Sequence, residues 1–149
     1  MSEIKKTYRQ LQIIYSIFFA IGIIVFVVLT LINLKQILHG GDANPVLERY
    51  AIGITLIGIP LSLKIYHYLM KKITNQRREK KMRFYNKIYI IRLGILEFVL
   101  ACNAIGLYIT GVRNFFYMIF ITIIAFLFCL PNKMEFETLC DNENDVPIE

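Results

Sequence analysis

The sequence predicts an all-α, polytopic membrane protein: a four-transmembrane-helix bundle with both termini on the cytoplasmic side (N-in/C-in). Three observations lead there. The 149 residues are 56% hydrophobic and 19% charged, more apolar and less charged than a soluble domain of that length. The charges are clustered, leaving Leu11 to Leu34 with none over 24 consecutive positions. Four stretches, 11–34, 47–70, 88–110 and 112–130, match the roughly 20 mostly apolar residues that a helix needs to cross the hydrocarbon layer. Together these exclude a disordered chain, a disulfide-built miniprotein and an ordinary soluble enzyme.

The first span is helical rather than extended. Ile23-Ile24-Val25-Phe26-Val27-Val28-Leu29 does not alternate as a membrane strand must, and in lipid an apolar run pairs its backbone internally whatever its propensity in water. It is longer than the roughly 7–15 residues of a signal-peptide core and no small-x-small site follows, so it is expected to stay as an uncleaved first helix. Gly40 and Gly41 then supply a left-handed stop. Asn44 before Pro45 predicts an N-cap followed by proline at the first helical position, with Glu48 in the first turn facing the positive helix end. His39 and Asp42 flank these glycines and are read as turn chemistry rather than metal ligands.

Span two carries Pro60 at its centre, which removes one backbone donor, predicts a kink and makes Pro60 a candidate hinge. The basic segment 71–87 is expected to continue span two as a helix leaving the membrane. Gly111 separates spans three and four by so short a connection that the two must form an antiparallel hairpin. Residues 1–134 therefore read as one four-helix domain, and 135–149 as an acidic cytoplasmic tail, mobile at its end and with a helical turn before Asp141.

The net charge of +6 conceals segments of opposite sign. Residues 71–87 hold eight basic side chains against Glu79, whereas 131–149 hold Lys133 against six acids. A basic total is thus no argument for nucleic acid. With both termini inside, twelve basic residues lie on the cytoplasmic side and three (Lys35, Arg49 and Arg113) on the other, the asymmetry that sets orientation in membranes.

Charge inside the spans is the chemical clue. Lys64 lies about 9 Å from the end of span two at Met70, Arg92 about 6 Å in from Ile88, and Glu97 about 13–14 Å in, at 1.5 Å per residue. Such side chains are costly in hydrocarbon and usually face other helices. Lys64 and Arg92 can reach the interface; Glu97 sits near the midplane. Gly94, Leu100, Ala101 and Ala104 share its face, a mostly small surface expected to touch another helix. Arg92 instead shares a face with Val99 and Asn103. Glu97 has two readings. Either it is protonated or paired with Lys64, Arg92 or the hydroxyl of Tyr15 or Ser16 and fixes the bundle, or it is a proton or cation site served by the Pro60 hinge.

Nothing else in the sequence suggests catalysis. There is no phosphate-cradling glycine loop, no HExxH and no Ser-His-Asp set, so neither an enzyme nor a bound cofactor or metal is expected. Cys102, Cys129 and Cys140 have no metal spacing. Lys71, Lys72, Arg77, Arg78, Lys80, Lys81 and Arg83 are candidates to contact anionic lipid head groups, the alternative being that they only set topology. The expected partners are the bilayer, those head groups, and a membrane-protein partner or a second copy.

The series Arg92-Leu-Gly-Ile-Leu-Glu97, then Thr110-Gly111, Pro131 and Leu139, resembles small, uncharacterised four-helix proteins of bacterial inner membranes. The resemblance covers the last third of the chain; it implies that membrane and brings no activity with it. The four-helix proteolipid subunit of rotary ATPases also buries a Glu, but is glycine-rich and repeats its helices. Eight glycines, an acid in span three and no repeat set this chain apart. The expected role is a non-enzymatic accessory or structural membrane component, the alternative a small transporter or ion-coupling subunit using Glu97.

Overall fold

The computed structural model describes residues 2–40, 44–73 and 78–141. They form five helices: α1 (Ser2–His39), α2 (Pro45–Ile73), α3 (Arg78–Thr110), α4 (Arg113–Leu127) and α5 (Lys133–Asp141). Three of them, α1, α2 and α3, are long and apolar enough to cross a membrane.

The stop and start signals act where the sequence places them. Gly40 and Gly111 adopt φ of 72° and 62°, the left-handed region that side chains resist. The Asn44 side chain accepts from the Leu47 amide at 3.4 Å, and Pro45 opens α2. α2 then runs unbroken through Pro60. The basic segment continues α2 as far as Ile73; residues 74–77 lie outside the described residues, and from Arg78 onward the segment belongs to α3 instead. α4 is short, about 22 Å at 1.5 Å per residue, because Pro131 disfavours helix in the residue before it. The chain turns there, with the Cys129 amide donating to Phe126 O and that of Leu130 to Leu127 O.

α3 is the hub and touches every other helix; α1, α2 and α4 pack on it, and α1 and α2 do not meet each other among the described residues. The packed stripe of α3 runs Lys81, Tyr85, Ile88, Arg92, Leu96, Val99, Asn103, Leu107 and Thr110, all buried, at steps of three or four. α4 answers with Phe115, Ile119, Thr122 and Phe126. α2 turns Ala51, Thr55, Gly58 and Ser62 inward, small residues that let backbones approach closely. A Cβ on Gly58 would collide with Val99, and one on Gly106 with the Phe115 ring.

Alongside the apolar core, several polar groups are inside and many large apolar groups are outside. Asn33, Thr55, Ser62, Asn103 and Thr122 are buried, while Leu56 is 72% exposed and Ile24, Leu31, Phe98 and Ile105 are open. Water penalises such a surface heavily.

Candidate functional site

The turn that ends α4 leaves backbone carbonyls without helical partners, and three tyrosines from other helices supply donors. Tyr15 of α1 donates to Phe126 O at 2.9 Å, Tyr89 of α3 to Cys129 O, and Tyr8 of α1 to Pro131 O at 3.0 Å. The negative end of α4 is thereby clasped between α1 and α3.

Arg92 adds a positive charge to the same place. Its guanidinium lies 4.5 Å from the centre of the Tyr66 ring, a favourable cation–π arrangement, and within hydrogen-bonding reach of the Cys129 sulfur. A cation at a helix C-terminus also complements the helix dipole. The side chain does not reach out to the interface: it is 8% exposed, and its Nε has no hydrogen-bond partner. The adjacent Tyr66 hydroxyl donates to Glu135 Oε1 of α5 at 3.3 Å and sits 3.5 Å from the Tyr85 hydroxyl. Phe136 seals this end, its ring 5.1 Å from that of Tyr85 and 6.2 Å from that of Tyr8. The helical turn expected before Asp141 is therefore α5, docked on its own bundle; residues 142–149 lie outside the described residues.

Asn103 lies about three helical turns deeper than Arg92 on the face that both share with Val99, as the helical spacing predicts. Its Nδ2 donates to Thr55 Oγ1 at 2.8 Å and to Val99 O at 3.0 Å, bridging α3 to α2, while its Oδ1 has no partner.

Glu97 is half-buried at the edge of the packed face. Leu93 and Leu100 beside it are buried, whereas Gly94 and Ala101 are exposed. The expected small-residue contact face is thus only half right: Leu100 and Ala104 pack, but Gly94 and Ala101 do not. One carboxylate oxygen, Oε2, is buried without a hydrogen-bond partner. None of the expected pairings forms among the described residues. The Tyr15 hydroxyl is committed to α4, and the ion pair seen among the described residues is Lys133–Glu137 at 3.5 Å within α5.

Lys64 is exposed on α2 and shares a groove with Arg92, His67 and Lys71; Pro60 is exposed at its inner end. Of the basic series, Lys71, Lys72, Lys80 and Arg83 are exposed. Arg78 opens α3, and Arg77 lies outside the described residues, as does Asp42. His39 Nδ1 lies 2.8 Å from Lys35 O. Lys81 departs from the expectation of a head-group contact: it is buried, because it falls in register with Tyr85, Ile88 and Arg92 on the packed stripe.

At the far end of the bundle, Arg113 Nε and Nη2 donate to Ile37 O and Leu38 O at 2.8 and 2.9 Å, capping α1, and Asn114 donates to Glu48 Oε2 at 3.1 Å. α4 is thus tied at both ends to α1. The arrangement as a whole can hold negative charge: a cation fixed by an aromatic face lies beside an open groove carrying further cations. No family model matches the chain, and neither a curated protein nor a solved structure is significantly similar to it.

Proposed function

We propose that the chain is an integral membrane protein in which α1 to α4 all cross the bilayer, with both termini cytoplasmic, and that it serves as a non-enzymatic accessory or structural component, in a bacterial inner membrane. The observation that carries this reading is the inversion of polarity: buried Asn, Thr and Arg inside an exposed girdle of Leu, Ile and Phe, which lipid covers at no cost. The double tie of α4 to α1 supports four crossings, because Arg113 meets the last turn of α1 while Tyr8 and Tyr15 near its start hold the end of α4. The excess of Lys and Arg at the end where α2 leads to α3 supports the orientation.

The protein is expected to stay in the membrane pellet after carbonate washing. Alkaline phosphatase fused after Gly40 is expected to be active and the same enzyme fused after Glu149 inactive. Release by carbonate, or an active fusion at Glu149, overturns the reading.

The unpartnered Glu97 oxygen favours a second reading, an ion- or proton-coupling subunit. A lone acid without a chain of polar partners makes a poor pathway, so the accessory role stands first. Proteoliposomes separate the two. The accessory role predicts no proton flux above empty vesicles and identical traces for Glu97→Gln. Flux abolished by Glu97→Gln, with an unchanged melting temperature, establishes coupling instead.

A further inference from the structure

We propose that the open groove between α2 and α3, lined by Lys64, His67, Lys71 and Arg92, is a binding site for one anionic phospholipid, with the phosphate held by Lys64, Lys71 and Arg92 and an acyl chain lying against Leu63 and Pro60. The proposal rests on the bilayer reading above and deepens it, moving head-group recognition from a diffuse basic segment to a built site.

The groove has a volume of about 820 Å³. Its α2 wall is one exposed face, Pro60, Leu63, Lys64, His67, Tyr68 and Lys71 recurring at steps of one helical turn. Cations occupy the outer end and apolar groups the inner end, the polarity sequence of a phospholipid. Arg92 enters from the opposite helix. It is more than nine-tenths buried, its Nε is unpartnered, and the Tyr66 ring fixes its guanidinium at 4.5 Å. The positive charge is therefore pre-positioned rather than gathered on binding, which lowers the cost of association. Among the described residues, no carboxylate lines the groove; Glu135 reaches the hydroxyl of Tyr66, one of its lining residues, at 3.3 Å. Depth agrees as well: Lys64 lies about 9 Å inside the cytoplasmic end of its span, within reach of the head-group layer for a long side chain, while Arg92, about 6 Å in, stays in the groove wall.

The test uses the full chain purified in a nonionic detergent and titrated with phosphatidylglycerol, phosphatidylcholine or inorganic phosphate, with lipid adducts counted by native mass spectrometry and melting followed in parallel. Phosphatidylglycerol is expected to bind as a single retained adduct, and phosphatidylcholine and inorganic phosphate not to compete with it. The exposed pair Lys64→Gln and Lys71→Gln is expected to weaken that adduct roughly 30-fold, from the usual contribution of two basic residues near a membrane surface. Lys5→Gln with Lys6→Gln removes the same charge from the exposed start of α1 and is expected to change nothing. Equal losses in both double variants overturn the proposal in favour of diffuse electrostatics. Competition by inorganic phosphate overturns it in favour of a free-phosphate site, and equal binding of phosphatidylcholine overturns any headgroup recognition. A carbonate-resistant protein without the phosphatidylglycerol adduct sinks this proposal alone, whereas carbonate release sinks the bilayer reading beneath it.

Discussion

Gly106→Ala is expected to destabilise the bundle by about 1–3 kcal/mol, the usual cost of overpacking a filled core. The new methyl group would come within 2.8 Å of three atoms of the Phe115 ring, and that ring is 2% exposed, with nowhere to go. Gly106 and Phe115 face each other across the Gly111 turn, so the strain falls on the α3–α4 hairpin. Trimming the ring with Phe115→Leu in the same chain is expected to restore part of the loss. Gly94→Ala is the control: nothing lies within 4 Å of its Cβ, and the helix gains propensity. Thermal unfolding in detergent checks all three. Equal melting temperatures for Gly106→Ala and Gly94→Ala refute the close approach.

Tyr89→Phe is expected to cost about 1–3 kcal/mol by leaving a buried acceptor unpaired, and Tyr15→Phe less. Both changes keep the ring and remove only the hydroxyl, so packing is conserved. The difference lies in what each carbonyl retains. Phe126 O still receives the Cys129 amide when Tyr15 is lost, whereas Cys129 O depends on Tyr89. Hydrogen exchange is expected to quicken at the end of α4 and not at the Thr55–Asn103 bridge between α2 and α3. Tyr68→Phe, on an exposed ring, is expected to change nothing. Unaltered exchange at the end of α4 in Tyr89→Phe contradicts the clasp.

What could be read from the sequence divides along physical lines. The long helices follow from runs of apolar residues, and the turns from Gly40, Gly111 and Asn44-Pro45, because backbone constraints are local. The shared face of Arg92, Val99 and Asn103 follows from helical spacing alone. Which face of a helix meets which neighbour does not, since lipid is as apolar as a packed leucine and leaves no hydrophobic stripe to mark the contact. α1 shows this: its buried residues Leu11, Tyr15, Gly22 and Asn33 have nothing common in polarity. The inward stripe Ala51, Thr55, Gly58 and Ser62 of α2 does carry a signal, small residues at helical spacing, whereas the small residues around Glu97 on span three only partly mark a contact. The fate of Arg92 depended on α4 ending beside it. The apolar run continues past that end to Leu130, so hydropathy conceals the turn and with it the tyrosine clasp.

The early end of α4 bears on the lipid as much as on the protein. At about 22 Å it falls short of a hydrocarbon layer of roughly 30 Å, while α1 to α3 exceed it. If all four helices cross as proposed, the mismatch falls on one flank, and acyl chains beside α4 would have to shorten there at a fraction of a kcal/mol for each ångström. A bundle with one short side would then thin the bilayer on that side alone, and its stability would depend on how thick the membrane is.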